Sequence, residues 1–351
     1  MLAANWHGRE DIRLEQLAEP DNPTGEDVLI EVSWCGICGT DLHEYSAGPI
    51  FIPAGLDQVV LGHEFSGRVA ATGDRVTAVK VNDRVVVIPH RVCRECHFCR
   101  RRMFQHCLNL ELIGLTRNGA FSRYTIARQD QLVVLPDGIP DEFGALVEPL
   151  AVTLHGMRQP GVEIGGDIVI IGAGPIGLSA IATARAIGLA PIYVVEMLPQ
   201  RSSIAQSMGA DEVLNPAETD VLSAIRELTG GAGTSVAMEC VGLEQTMDIA
   251  IQATRPGGVA LLAGITESIS GVDLDAAVRD EKEIRGCIGY FDGEFDAVID
   301  LLATEQLDGG LSVSAHHADI AQELDEGEVS QPIHIVLQQR GAESRKIQET
   351  I

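Results

Sequence analysis

Three lysines, Lys80, Lys282 and Lys346, are all that this 351-residue chain carries, and aromatic residues make up only 4% of it. Basic side chains number 25 against 51 acidic ones, a net charge of −26 at pH 7. Such a surface repels phosphate backbones and anionic headgroups, so neither nucleic acid nor a membrane is an expected partner. Long apolar runs are missing too. The longest uncharged stretch, Ile168 to Ala184, is split by three glycines and a proline, which suits strand, turn and helix rather than a membrane span. The opening MLAANWHGREDIRLEQ has no apolar core of the kind a secretory leader needs. A cytoplasmic protein with its eight cysteines reduced is therefore expected.

What is present points to an α/β protein. The length suits two domains, and 45% hydrophobic residues with 37 glycines suit a folded, turn-rich chain. Residues 26–135 read as β-rich: DVLIEVSW alternates apolar and polar side chains, and NDRVVVIP, GAFSRYTIA and QLVVLP are short β-branched runs between turn residues. From about Asp167 the rhythm changes. DIVIIG, PIYVVE, DEVLN, SVAMEC, GVALLAG and EIRGCIG are short apolar strands separated by helical stretches such as GLSAIATARAIG and EQTMDIAIQAT. That alternation predicts a doubly wound, six-stranded parallel sheet. Beyond it, FDAVIDLLAT reads as a helix and PIHIVLQ as a strand returning to the first domain, before a frayed polar tail after Gln339.

Cys93, Cys96, Cys99 and Cys107 are spaced C-x2-C-x2-C-x7-C. Four thiolates close a tetrahedral zinc and leave no position open to substrate, so this is a structural site. Gly172-Ala-Gly174-Pro175-Ile176-Gly177 follows the strand DIVII and opens a helix, with Glu196 ending the next strand. The glycines permit a tight turn against a pyrophosphate, the helix N-terminus faces it, and Glu196 accepts hydrogen bonds from ribose hydroxyls. Upstream lie Cys38-Gly-Thr40-Asp41-Leu-His43, then Gly62-His63-Glu64, then Glu148-Pro149. A catalytic zinc needs about three protein ligands and one exchangeable position. Cys38 and His63 are the natural pair, with Glu64 or Glu148 completing the set.

CGICGTDLH at 35–43, LGHEFSGRV at 61–69, the four-cysteine lobe, EPLAV at 148–152 and GAGPIG at 172–177 together resemble the zinc-dependent medium-chain alcohol dehydrogenases over almost the whole chain. The resemblance implies a β-rich, GroES-like catalytic domain over 1–153 that carries the structural zinc lobe. A Rossmann domain for NAD would span 154–290, and a segment over 291–351 would return to the catalytic domain. It further implies two Zn2+ per chain and NAD as cofactors. Cys38 and His63 would bind the reactive zinc, with Glu148 as ligand or water-bridged partner and Glu64 as an alternating or supporting one. Asp41 would orient His63, and Thr40 and His43 would form the relay that carries the alcohol proton to solvent. Ile176, Glu196 and Arg201 fall at the family's NAD contacts. Cys35 reads as a buried spare thiol.

Two departures from the family pattern stand out. Arg94 and Arg102 occupy lobe positions where glycine is usual, and the late strand offers His334 where Arg or Lys is usual. EPLAV with Glu148 resembles the polyol, butanediol and threonine dehydrogenase branch. HEYSAGPIFIP at 43–53 resembles 2,3-butanediol dehydrogenases, whereas the separation from Cys38 to His63 and the lobe's positions resemble L-threonine 3-dehydrogenases. The implied substrate is a secondary alcohol: a vicinal diol such as 2,3-butanediol first (acetoin in reverse), L-threonine second, a polyol or sugar third. A non-catalytic NAD-binding protein is the rival class, but such a protein is expected to lose Cys38, His63 or Thr40, and all three are present. A homo-oligomer, dimer or tetramer, is the expected assembly.

Overall fold

The computed structural model describes residues 1–266, 271–304 and 307, with the backbone of 336–338. His334 and the tail after Gln339 lie outside the described residues. Two compact units divide the chain, one comprising Met1–Glu148 joined by the strand Val336–Gln338, the other running on from Pro149.

The first unit is built on strands. β1 (Leu2–Gly8), β2 (Asp11–Gln16) and β4 (Val59–Val60) form a small sheet in the order β2-β1-β4. β3 (Asp27–Gly36), β5 (Glu64–Thr72), β6 (Arg84–Val87), β9 (Tyr124–Arg128), β10 (Leu132–Val134) and β17 (Val336–Gln338) make the larger one. β7 (His90–Arg91) and β8 (Glu111–Leu112) pair as a hairpin base around the cysteine lobe. The alternation in DVLIEVSW appears as β3, whose Val28, Ile30 and Val32 are buried and join Phe65, Val85 and Phe121 in one core. Each such buried side chain stabilises the fold by roughly 1.5–3 kcal/mol.

β3 also sets up the chemistry. Its last residues pair with β5 on one side, Gly36 opposite Glu64, and with β17 on the other, Val336 opposite Gly36. The chain then turns into α1 (Gly39–Ser46). This register is what delivers Cys38 next to His63 and Glu64, which are distant in sequence.

The second unit holds β11 (Ile168–Ile171), β12 (Ile192–Val195), β13 (Glu212–Leu214), β14 (Thr234–Glu239), β15 (Thr254–Leu262) and β16 (Glu283–Gly286). All pair in parallel, in the order β13-β12-β11-β14-β15-β16. β11, β12 and β14 are buried along their whole length, which is why they read as continuous apolar runs rather than alternating ones. The strand order reverses at β11, the switch point where doubly wound sheets bind ligands at their carboxyl ends. α3 (Pro175–Ile187), α4 (Pro199–Ser207), α5 (Val221–Leu228), α6 (Glu244–Ala253), α7 (Asp275–Arg279) and α8 (Glu294–Ala303) complete the unit. One helix the patterning did not announce is α2 (Asp141–Met157), which carries EPLAV and holds Pro149 in its interior.

Candidate active site

Cys38 caps the N-terminus of α1, and Asp41 in the first turn reaches back so that its Oδ2 accepts the Cys38 N–H at 2.9 Å. The other oxygen, Oδ1, accepts the Gly62 N–H at 3.4 Å and stands 3.5 Å from His63 Nδ1. Asp41 is fully buried. One carboxylate therefore ties together the cysteine, the Gly62 turn and the imidazole. A carboxylate on one ring nitrogen fixes the tautomer and raises the basicity of the other, the arrangement a metal-ligating histidine uses.

Cys38 Sγ, a ring nitrogen of His63 and a carboxylate oxygen of Glu64 all lie within 4.8 Å of one another. Burial, and then the Glu64 charge, push the Cys38 thiol up to about 11. Burial alone would lower His63, but Asp41 and Cys38 outweigh it and hold the imidazole well above its ordinary value. A partly buried thiol beside a buried imidazole and carboxylate, a set rich in potential negative charge, fits a divalent cation, which favours the thiolate and takes the imidazole as a neutral ligand. Glu148 is buried on α2 but does not join this set at that spacing. Thr40 and His43 sit three residues apart on α1, both partly exposed and on one helical face. Cys35 is buried at 1% exposure outside the set, with its Sγ 3.5 Å from the Gly36 carbonyl.

Two neighbours escaped the sequence reading. Glu44, fully buried, accepts the N–H groups of Ile50 at 2.9 Å and Ile52 at 3.2 Å, and also bonds Phe51, so it shapes the loop after α1. A helical glutamate normally faces water, and only its spacing of three from Asp41 hints at a shared inward face. His90 on β7 is driven down to about 3 by burial and by His63, so it is a neutral imidazole.

The four-cysteine lobe is equally well formed. Cys93 Sγ lies 3.6 Å from Cys107 Sγ and 3.9 Å from Cys99 Sγ. Thiolates at about 2.3 Å from a tetrahedral zinc stand about 3.8 Å apart, so the spacing fits. Backbone N–H groups donate to the sulfurs, Cys93 to Cys107 at 3.3 Å, Cys96 to Cys93 at 3.4 Å and Cys99 to Cys96 at 3.5 Å. The Cys99 N–H is the main reason the Cys96 thiol falls to about 6, whereas burial raises Cys99 to about 12.

The two arginines standing where glycine is usual, Arg94 and Arg102, have φ of 59° and 61°, the left-handed region that costs an L-residue roughly 1–2 kcal/mol. Arg94 recovers some stability through its Nε bond to Asp130 at 2.7 Å. Replacing Arg102 by glycine is therefore expected to stabilise the protein, by up to about 1 kcal/mol. Thermal melts of the native protein and Arg102→Gly check this, and a lowered melting temperature for the variant would contradict it.

At the glycine-rich turn, Gly174 caps α3 and Pro175 is its first residue. Gly177 permits the close approach of helix to strand, since a Cβ there would stand 1.8 Å from the Gly172 carbonyl oxygen. Gly174 is open apart from Arg201, whose Nη1 would lie 3.9 Å from a Cβ at that position. Backbone N–H groups, a helix N-terminus and an arginine therefore converge at this turn, a donor set that could take an anionic group such as a pyrophosphate. Glu196 directly follows β12, is buried at 6% exposure and accepts the Ala173 N–H and the Leu198 N–H, each at 2.8 Å. Its carboxylate is fixed by the turn it serves, and two engaged N–H donors leave acceptor sites for ribose hydroxyls.

Comparisons with known proteins agree with this geometry. Residues 24–137 match a family model described as alcohol dehydrogenase GroES-like domain, and residues 175–304 match one described as zinc-binding dehydrogenase. An (R,R)-butanediol dehydrogenase of Bacillus subtilis is 40% identical over 316 residues, covering 86% of this chain and 88% of that protein. A sorbitol dehydrogenase of Bacillus subtilis is 36% identical over 292 residues, covering 83% and 82%. Among solved structures, the crystal structure of 2R,3R-butanediol dehydrogenase from Bacillus subtilis superimposes with a TM-score of 0.86 at 34% identity, covering 97% of this chain and 99% of that one. The chain belongs to the zinc-dependent medium-chain alcohol dehydrogenases, enzymes that oxidise CH–OH groups.

Proposed function

We propose that this enzyme oxidises a vicinal diol such as 2,3-butanediol to the hydroxyketone, acetoin, with NAD as hydride acceptor. The observation that carries it is the convergent Cys38, His63 and Glu64 set, organised by Asp41. Cys38 and His63 would hold the reactive zinc, Glu64 and Glu148 serving as alternating, direct or water-bridged carboxylates. When bound, zinc lowers the pKa of a hydroxyl and the nicotinamide accepts hydride. Thr40 takes the hydroxyl proton and His43 passes it to solvent. Gly172, Gly174, Pro175, Ile176 and Gly177 hold the pyrophosphate with Arg201, and Glu196 the ribose. We assign catalysis to 1–153 with the Cys93, Cys96, Cys99 and Cys107 zinc lobe, NAD to 154–290, and a returning segment to 291–351.

The butanediol reading rests on the relatives of that name, and the sorbitol dehydrogenase likeness keeps a polyol as the second reading. A cytoplasmic location is supported by thiolates that must stay reduced, and among the described residues no helix is long and apolar enough to cross a membrane. Pairing with a second copy is supported by β16, the edge strand of its sheet among the described residues, which leaves Ile284 39% exposed and is followed by Ile288 at 55%. A one-chain mass in solution would rule that assembly out.

The deciding experiment is NADH or NADPH formation across 2,3-butanediol stereoisomers, threonine, sorbitol, glucose and simple alcohols. A butanediol is expected to give the highest kcat/KM, and a screen led by sorbitol or threonine would overturn the diol assignment. NAD is expected to exceed NADP. A 2′-phosphate ~4 Å from Glu196 costs about 4 kcal/mol per like-charge pair at an effective dielectric near 20. Halving that for Arg201 leaves about 2 kcal/mol, more than a tenfold preference. Equal use of both cofactors would remove Glu196 as the discriminator.

A further inference from the structure

Glu239, the last residue of β14, has no part in the chemistry described so far, yet it is fully buried. Its Oε1 accepts three hydrogen bonds, from the Val241 N–H at 2.7 Å, the Gly242 N–H at 2.8 Å and the Thr246 hydroxyl at 2.8 Å. Its carbonyl oxygen accepts the N–H groups of Ala263 at 2.9 Å and Gly264 at 3.2 Å. The remaining oxygen, Oε2, is buried without a hydrogen-bond partner, against Gly264, where a Cβ would stand 2.5 Å from it. A buried carboxylate with one oxygen left unpartnered is costly. Residues that break such local rules cluster where function, rather than stability, selects them.

Its position supplies that function. Glu239 pairs with Ile171 of β11 on one side and Leu262 of β15 on the other, at the carboxyl edge beside the switch point. Ile171 leads directly into the Gly172–Gly177 turn. Val241, held by Glu239, is 43% exposed, and its Cγ2 would lie 2.4 Å from a Cβ on Gly172. Side-chain and main-chain bonds of one residue thus fix the loops after β14 and β15, and the first of these packs on the glycine that starts the pyrophosphate turn. Glu196 stitches the loops after β11 and β12 in the same manner.

We propose that Glu239 is a positioning residue for NAD: it presets the loops at 240–243 and 263–265 against the glycine-rich turn so that the dinucleotide meets an already ordered edge. The gain is one of preorganisation, since loops left free must be ordered at the expense of binding. This rests on the Gly172–Gly177 turn being the NAD site.

NADH fluorescence titration of the zinc-loaded native enzyme, Glu239→Gln and Thr246→Val tests it. The Kd is expected to rise about tenfold or more in Glu239→Gln, which loses the charge behind three bonds, and about threefold in Thr246→Val, which loses one donor. The KM for alcohol at saturating NAD and the zinc content stay at native values. Native-like Kd in Thr246→Val together with Glu239→Gln, whether or not either melts earlier, would reduce Glu239 to a structural residue and overturn the proposal alone. Should Glu239→Gln not fold, an unchanged Kd in Thr246→Val is enough to overturn it. Failure of the native enzyme to bind NADH would overturn the NAD site as well.

Discussion

Cys38→Ser or His63→Ala is expected to lower kcat/KM for the alcohol by at least about a thousandfold while the Kd for NADH moves less than about threefold. The loss follows from the donor set. Cys38, His63 and Glu64 converge within 4.8 Å, and removing the thiolate or the imidazole leaves too few ligands to hold a catalytic zinc. Several kcal/mol of transition-state stabilisation go with the metal, and about 4 kcal/mol corresponds to a thousandfold. NADH affinity persists because the glycine turn, Glu196 and Arg201, the contacts proposed for NAD, all belong to the other folding unit. Activity within tenfold of native in either variant, at full folding, would remove these residues as ligands.

Cys99→Ser is expected to act in the opposite way, on stability rather than chemistry. The lobe has little apolar burial of its own: Val92, Cys99 and Cys107 are buried, with Cys93, Cys96, Phe104 and Leu110 partly so. Two of its arginines are strained in left-handed conformations. Metal binding is therefore the main source of its folding free energy. Loss of one thiolate is expected to cost on the order of 3 kcal/mol, or roughly 6–12 °C in melting temperature for a unit of this size. The kcat/KM of the folded fraction should change less than about threefold. Calorimetry paired with initial rates separates the two, and an unchanged melting temperature with lost activity would reverse the roles of the two cysteine sites.

Much of this was legible in the residues because the signals are local. Buried parallel strands must be apolar throughout, so the six segments from DIVIIG to EIRGCIG stood out, and the C-x2-C-x2-C-x7-C spacing and the glycine turn each sit within a few residues. What stayed hidden depends on register and burial. Cys38 meets His63 because Gly36 pairs with Glu64, a fact about two strands rather than about either sequence. Glu44 and Glu239 are glutamates at a helix and a strand end, where the ordinary expectation is solvent. Only the backbone N–H groups that close on them reveal otherwise. EPLAV was legible as a motif but not as the middle of α2, since Pro149 argues locally against a helix interior.

Stepwise zinc removal, followed by metal analysis, NADH formation and unfolding on one sample, tests the two-site account most directly. The native chain is expected to carry two zincs. The first to leave under a chelator should take all turnover with it while the fold and NADH binding remain, and the second should leave more slowly and coincide with a fall in melting temperature. One zinc or none in freshly prepared protein, or activity that survives the first loss and disappears only with the second, would contradict it.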